Sequence, residues 1–198
     1  DLMYGTVRYF HPLGMASAMA LLESVRNVPY STVVTAMEGN GVDYGIKLSG
    51  TGNRWYTAPS PYSEGGALVA ANIDKNEILP WIGDSCMLEA CGLGGFAAAA
   101  APAVMRAQNK TWQDGIDQSR SMSEIALDTH PYYLLPGLDY QGSPVGIDMR
   151  KVIETGTVPV IHGGIIAKNL RRLGSGGTKV PLECFEKALN GFTEEYVK

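Results

Sequence analysis

The order of strand-like and helix-like segments predicts an α+β fold, because strand candidates come first and helix candidates follow them. Hydrophobic residues make up 45% of the chain, which suffices for a substantial core. Only 18% of the residues are charged and 24 are glycine, a combination typical of a compact fold with many tight turns and not of a disordered chain. The length suits a single α+β domain, 1–198, in which 111–130 is a candidate helical subdomain.

Strand candidates separated by turn signals predict an antiparallel β meander. The candidates lie at 33–37, 44–48 and 54–58. Each is rich in β-branched or aromatic residues, which favour strands. Asn40-Gly41 is a strong hairpin signal, and a second turn falls at 50–53.

Glycine/alanine-rich and C-terminal helices are expected to pack on this meander. The helix candidates lie at 15–25, along the glycine- and alanine-rich segment to about residue 108, and at 111–128, 149–154 and 181–189. Thr111 and Asp114 form a capping pattern, and Pro131 would stop the helix that they start. Asp148 is a natural cap for the short helix that Gly156 closes.

Composition also excludes several classes of function. The net charge of −4 argues against nucleic acid and anionic membranes as partners, and no apolar run is long enough to span a bilayer. Three cysteines without a CxxC pair indicate a reduced, cytoplasmic protein. The three histidines lack metal-ligand spacing, so we expect neither a metal nor a cofactor. The sequence starts at Asp1 without an initiator methionine, and we expect further residues upstream.

The segment 82–95 is the most informative part of the sequence. Its glycines predict a turn that lets a ligand approach the backbone, and the helix after it would direct unpaired N–H groups at that ligand. We therefore expect a small anion, such as phosphate, at 92–95. Asp84 and Ser85 are natural caps for a short helix on which Glu89 lies one turn along. The alternative is a tight connection without a ligand, whereas a dinucleotide site is excluded because no buried strand directly precedes the glycines.

Two further places are candidates for anion binding. Arg150 and Lys151 follow Asp148 at a helix start, where they could hold an oxyanion by charged hydrogen bonds. The alternative there is an ordinary solvated first turn. A strand candidate at 158–161 leads into His162 and a double-glycine loop, a place where binding residues often lie. A histidine that serves only the core is an equal alternative.

Three blocks of motif residues resemble one bacterial family in their order and spacing. The blocks include Trp55-Tyr56-Thr57-Ala58-Pro59, Gly92-Leu93-Gly94-Gly95-Phe96-Ala97, and Gly146-Ile147-Asp148 with Arg150-Lys151-Val152. Together they resemble the AllG-type (YlbE-like) subunit family of oxamate carbamoyltransferase, formerly described as a bacterial domain of unknown function. The resemblance extends from residue 33 to residue 189, and it matches only the C-terminal part of the usual length of that family.

The resemblance implies a transferase subunit of anaerobic allantoin and purine catabolism. Such a carbamoyltransferase interconverts oxalurate plus phosphate with oxamate plus carbamoyl phosphate, so its ligands are small anions. Sister subunits of two other types are implied as partners, and we expect a homo-oligomer or a complex with these sisters. The alternative is a non-catalytic anion-binding or scaffolding subunit of a multi-subunit complex.

Candidate site residues follow from the motifs together with the resemblance. The catalytic candidates, which could accept a proton or clamp a carboxylate, are Asp84, Glu89, Arg150 and Lys151. The candidates for binding substrate or phosphate are Asn40, Ser85, Gly92, Gly94, Gly95, Asp148 and His162. If Asp84, Glu89 and Arg150 converge on one cleft, a catalytic subunit is favoured, and if they scatter, a scaffolding subunit is favoured.

The sequence departs from the family pattern at four places. Gly39, Ala90 and Ala167 stand where Arg, Thr and His are usual, and His162-Gly163 stands where an Asn-Thr pair is usual. The Ser-Thr-Arg-Thr phosphate loop of ordinary transcarbamoylases is also missing. We therefore expect a divergent relative that acts on oxamate or on a related carbamoyl or carboxylate compound.

Overall fold

The computed structural model describes residues 10–68 and 74–197. In these ranges antiparallel sheets are packed against helices, so the predicted α+β class is confirmed. The helices are α1 (Phe10–Ser24), α2 (Met87–Ala90), α3 (Pro102–Ala107), α4 (Trp112–Ser123), α5 (Met149–Thr155) and α6 (Leu182–Tyr196). The strands are β1 (Val34–Asn40), β2 (Asp43–Leu48), β3 (Tyr56–Pro59), β4 (Glu64–Leu68), β5 (Ile82–Gly83), β6 (Ala126–Leu135), β7 (Gln141–Ile147), β8 (Val160–Ile166) and β9 (Arg172–Lys179). Within the described ranges, no helix is both long and apolar enough to cross a membrane.

The largest sheet contains the predicted meander. Its strands follow the order β3-β2-β1-β5, and every neighbouring pair is antiparallel. The side-chain oxygen of Asn40 accepts hydrogen bonds from the backbone N–H groups of Val42 (2.9 Å) and Asp43 (2.8 Å). Gly41 has a φ of 85°, a conformation that favours glycine. The Asn-Gly pair therefore closes the hairpin as the sequence predicts.

Two further antiparallel sheets were not predicted. β9 lies between β4 and β8 in a second sheet, and β6 pairs with β7 in a third. The double glycine at 163–164 therefore lies inside β8. The glycine-rich strand β9 pairs with these two glycines and with the residues before and after them. The prediction of a loop was wrong because glycine weakens a strand without preventing it from pairing with a neighbouring strand.

The helix that was predicted at 111–128 ends earlier. Thr111 and Asp114 form a complete capping box, since the Thr111 hydroxyl accepts the Asp114 N–H (3.2 Å) and the Asp114 carboxylate accepts the Thr111 N–H (2.6 Å). α4 nevertheless ends at Ser123, and the chain from residue 126 onwards pairs with β7. Pro131 lies in an irregular stretch of β6, where a missing N–H donor costs no ladder hydrogen bond.

The glycine- and alanine-rich segment is not the single helix that was predicted. Gly94–Ala100 forms 3₁₀ turns, Ala101 leaves the helical conformation (φ −121°, ψ 56°), and α3 starts with Pro102. Proline suits a first helical position because its missing N–H would have no partner there. A Cβ at Gly115 of α4 would lie 2.8 Å from the carbonyl oxygen of Ala98, so the turns and α4 approach each other closely.

The main core lies between the meander and α6. Tyr44 of β2 and Phe185 of α6 are fully buried in the same cluster. A Cβ at Gly191 would lie 2.5 Å from the Tyr56 side chain, so glycine lets α6 approach β3. The short helix α2 packs against α1 and β1, which places its residues beneath the edge of the meander.

Thr111→Ala should lower the free energy of unfolding by about 0.5–2 kcal/mol, because it removes the hydroxyl that caps α4. Urea denaturation followed by circular dichroism measures this difference. Thr193→Ala is a suitable control because Thr193 is an exposed residue within α6 and caps no helix, so we expect a change within about 0.5 kcal/mol. Equal losses in the two variants would contradict the role of the capping box.

Candidate functional site

The carboxyl group of Glu89 joins three separate elements. Glu89 lies on α2 and is 1% exposed. Its Oε1 atom accepts a hydrogen bond from the backbone N–H of Gly95, in the glycine turn, and another from the backbone N–H of His162, in β8. Both distances are 2.9 Å. The side chain therefore fixes the positions of the turn and the strand relative to α2.

The glycine turn closes tightly around this carboxyl group. Gly94 has a φ of 56°, and a Cβ at this position would lie 2.2 Å from Oε1 of Glu89. A Cβ at Gly95 would lie 2.0 Å from the carbonyl oxygen of Val160. Only glycine fits at these two positions, and the group that the Gly95 N–H binds is the carboxyl group of the protein itself.

Burial raises the pKa of Glu89 from 4.5 to about 8, and the hydrogen bonds from the Gly95 and His162 N–H groups oppose this shift. The carboxyl group is therefore mainly protonated at pH 7. A neutral carboxyl group can remain in the interior without a cation beside it. Glu89 therefore carries a proton and accepts hydrogen bonds from two backbone N–H groups, one of which belongs to His162.

The imidazole of His162 is neutral and held in one orientation. Burial, and to a smaller extent the charge of Lys110, lowers the pKa of His162 from 6.5 to about 4. The side-chain nitrogen of Gln118 lies 3.1 Å from Nε2 of His162 and also donates to the carbonyl oxygen of Gly95 (2.8 Å). Because Gln118 donates, Nε2 accepts and the proton of the ring is on Nδ1. In the described part of the chain, Nδ1 has no hydrogen-bond partner.

A cleft of about 490 Å³ opens beside this histidine. Its lining residues come from α1, from the turn before α2, from α3 and its end, and from β8 and β9. They are Phe10, His11, Ser85, Val104, Gln108, His162, Gly163, Gly164, Arg172, Ser175 and Gly176. In the β8–β9 pair, His162 is opposite Gly177 and Gly164 is opposite Ser175. These four residues lie on the same face of the β8–β9 pair. Because two of them are glycine, two of the four positions on this face have no side chain.

The charge of the cleft suits an anion. Arg172 donates from Nε to the carbonyl oxygen of Gly174 (2.9 Å) and from a terminal nitrogen to Oγ of Ser175 (2.7 Å). A guanidinium group has five N–H donors, so three remain without a partner in the described structure. No carboxylate is present among the described lining residues, and Arg172 forms no ion pair with the described acidic residues.

Some of the residues that the sequence singled out come together here. Ser85 and His162 line the cleft, and Glu89, Gly94 and Gly95 lie behind His162. Gly92 precedes these two glycines in the turn and has a φ of 80°. A Cβ at Gly92 would lie 3.1 Å from the carbonyl oxygen of Pro144. Phosphate binding at 92–95 stays a prediction, although the Gly95 N–H is occupied by Glu89 in this structure.

The other candidates lie elsewhere. Arg150 is bound to Asp148 through a 2.8 Å ion pair, and the Asp148 side chain caps α5 by accepting the Arg150 N–H (2.9 Å). Burial acts to raise the pKa of Asp148, but hydrogen bonds from Arg150 and Thr32 outweigh it and hold this pKa below its ordinary value. Lys151 donates to the carbonyl oxygen of Ala126. These contacts stabilise α5 and its surroundings.

Asp84 and Asn40 are also outside the cleft lining. Asp84 is exposed, and α2 starts after Cys86 without a side-chain cap, so the predicted caps at Asp84 and Ser85 are wrong. Asn40 closes the β1–β2 hairpin. Asp84, Glu89 and Arg150 therefore do not converge on one cleft.

Several residues of the cleft were missed in the sequence, among them Gln108, Arg172 and Ser175. Gln108 and Arg172 lie in segments that resemble ordinary helix ends and loops, and Ser175 lies in a glycine-rich run. The local feature of the sequence that could have indicated this cleft was the pair of glycine clusters at 163–164 and 174–177. Such clusters indicate places where a backbone or a ligand comes close, and strand pairing brings these two together.

Comparison with known proteins relates this chain to one family. A sequence profile described as "Oxamate carbamoyltransferase subunit AllG" matches residues 1–85. The chain is 36% identical over 197 residues to the oxamate carbamoyltransferase subunit AllG of Escherichia coli (strain K12), and this match covers 98% of the chain. The chain is AllG-like in sequence over nearly its whole length.

Two further proteins are similar to nearly the whole chain. The uncharacterized protein YahG of Escherichia coli (strain K12) is 37% identical over 187 residues, which covers 93% of the chain and 39% of YahG. The crystal structure of a conserved protein of unknown function from Enterococcus faecalis V583 is 37% identical and superimposes with a TM-score of 0.89, covering 94% of the chain and 45% of that protein. The match to AllG itself covers 46% of AllG, so the chain spans less than half the length of each relative. The resemblance stated from the sequence motifs is confirmed.

Glu89→Gln should flatten the dependence of stability on pH between about 6.5 and 8. The carboxyl group titrates near 4.5 in the unfolded chain and at about 8 in the folded one, so the folded protein holds an extra proton and loses stability as the pH rises through this interval. One extra proton corresponds to about 1.4 kcal/mol per pH unit. The lowered pKa of His162 has the opposite effect, but only between about 4 and 6.5.

Urea denaturation at several pH values measures this slope. Glu186→Gln, on the exposed face of α6, is the matched control and should keep the wild-type slope. Identical slopes for the wild type and Glu89→Gln above pH 6.5 would rule out a buried, protonated Glu89.

Proposed function

We propose that this chain acts as a subunit of a carbamoyltransferase for oxamate or a closely related compound, and that its cleft binds the small anionic substrate. The observation that carries the proposal is the guanidinium of Arg172, which forms no ion pair with the described acidic residues and keeps three N–H donors without a described partner, in a cleft without described carboxylates. The chain that holds it is 36% identical to AllG. The AllG protein of Escherichia coli gives the proposal its reaction.

The reaction makes specific demands on a site. In the phosphorolysis of oxalurate, a phosphate oxygen attacks the carbamoyl carbon and the bond from that carbon to the oxamate nitrogen breaks. This nitrogen takes up the proton that the phosphate gives up, so oxamate and carbamoyl phosphate are formed. The site must bind two anions, polarise a carbonyl group and hold the reacting atoms in contact.

The cleft offers groups for part of this task. Arg172 can form charged hydrogen bonds to a carboxylate. The Nδ1–H of His162 can donate to a carbonyl oxygen that gains negative charge during the reaction. Glu89 acts as a positioning residue, since it binds the backbone of His162 from behind. The bare glycine positions of β8 and β9 allow a planar substrate to lie against the backbone.

The proposal includes partners. We propose that the chain functions as a single domain of a cytoplasmic homo-oligomer, or of a complex with sister carbamoyltransferase subunits, in allantoin and purine degradation. Phosphate and carbamoyl phosphate would then be bound in part by groups outside the described cleft. The cleft supplies one free cation among its described side chains, which is few for two anionic substrates.

A second candidate is a non-catalytic, anion-binding or scaffolding subunit. It is favoured by the observation that the catalytic candidates do not lie together in the cleft. Arg150 and Lys151 make structural contacts elsewhere, and Asp84 is exposed. The ring acceptor of His162 is also already occupied by Gln118, so it is not free to take a proton from a substrate. In this alternative the reacting groups belong to a sister subunit.

Turnover by the full-length protein separates these candidates. Carbamoyl phosphate formation from oxalurate and phosphate is measured with and without the sister subunits. Arg172→Ala should lower kcat/KM by about 10- to 100-fold, the effect of losing a hydrogen bond to a charged group worth about 1.5–3 kcal/mol. The control is Arg171→Ala, because Arg171 is the exposed neighbouring residue and does not line the cleft.

Each outcome decides between the proposals. Loss of activity in Arg172→Ala alone supports substrate binding by this cleft. Equal activity of both variants in an active complex would favour the scaffolding subunit. Absence of oxalurate turnover with every combination of subunits would contradict the carbamoyltransferase proposal itself.

A further inference from the structure

The amide of Gln108 is an unexplained polar group in the cleft. Gln108 follows the C-terminal end of α3, is 3% exposed and lines the cleft together with His162 and Arg172. Its Oε1 atom is buried and has no hydrogen-bond partner in the described part of the chain. A buried acceptor without a donor costs free energy, so a ligand that brings a donor to this atom gains affinity.

We propose that Gln108 is a specificity-determining residue, whose amide oxygen accepts an N–H of a ligand that also carries a carboxylate bound by Arg172. The proposal rests on the proposed function, since it names the residue that recognises the amide end of the acceptor substrate.

The positions of the two groups fit a short ligand. A Cβ at Gly177 would lie 3.4 Å from Oε1 of Gln108, and a Cβ at Gly164 would lie 3.4 Å from Nε of Arg172. Gly164 is opposite Ser175, which is two residues from Gly177 along β9. Two residues of a strand span about 7 Å. Gln108 and Arg172 therefore lie about two residues apart along one face of the β8–β9 pair, a separation that a small ligand with one polar group at each end can bridge.

The amide oxygen of Gln108 favours a ligand with an amide group at this end over a ligand with a second carboxylate. The oxygen of Gln108 can only accept, so a ligand oxygen without a hydrogen would meet it as an unpaired acceptor. A site built to bind an N–H group discriminates strongly against the analogue that lacks it. Oxamate, with one amide and one carboxylate, and oxalate, with two carboxylates, differ at this one end.

Calorimetry on the full-length protein tests this inference with oxamate, oxalate and inorganic phosphate as ligands. We expect the wild type to bind oxamate at least about tenfold more tightly than oxalate. In Gln108→Met the preference should fall to near unity, because oxamate loses its acceptor while oxalate loses a repulsive neighbour. Retained binding of oxalate by this variant would demonstrate that its cleft is still folded.

Two controls accompany this variant. Arg172→Ala should weaken the binding of both ligands and keep their ratio, and Gln113→Met, at an exposed glutamine outside the cleft lining, should change nothing. Equal affinities in the wild type, an unchanged ratio in Gln108→Met, tighter binding of phosphate than of oxamate, or no binding at all would each overturn the inference. Selective binding of oxamate without any turnover of oxalurate would leave the role of Gln108 intact and contradict the proposed function alone.

Discussion

The buried carboxyl group of Glu89 is the interaction on which the geometry of the cleft depends. One oxygen holds the backbone N–H groups of Gly95 and His162, and Gln118 then links the carbonyl of Gly95 to the ring of His162. The network contains no described counter-ion, and burial favours the neutral, protonated form of the carboxyl group by raising its pKa to about 8. The position of the His162 backbone therefore depends on a residue that does not line the cleft itself.

Local signals in the sequence predicted local structure well, and they failed where pairing between distant segments decides. The Asn40-Gly41 hairpin, the Thr111 cap and the helix between Asp148 and Gly156 were all predicted, because each depends on contacts within a few residues. The pairings of β6 with β7 and of β8 with β9 were missed. Glycine carries no side-chain pattern, so a glycine-rich strand is indistinguishable from a loop until its partner is known.

The same distinction explains which residues of the site could be identified from the sequence. Glu89 was identified because it lies on a short helix that leads into the glycine turn, and His162 because it ends an apolar strand before two glycines. Arg150 was overvalued because a cation beside a helix start is as common in a cap as in a binding site, and here Asp148 binds it. Arg172 could not be recognised, because its relation to His162 exists only through the register of the β8–β9 pair.

Two departures from the family pattern are explained by one side chain, Trp81. A Cβ at Gly39 would lie 2.6 Å from the Trp81 carbonyl oxygen and a Cβ at Gly163 would lie 2.5 Å from the indole ring, so neither position has room for a larger residue. Trp81 is 4% exposed, and its ring occupies the space that an arginine at 39 and a threonine at 163 would need. Both glycines are therefore required by the packing of Trp81. His162 is different, because its side chain borders the cleft, where a bound ligand would contact it.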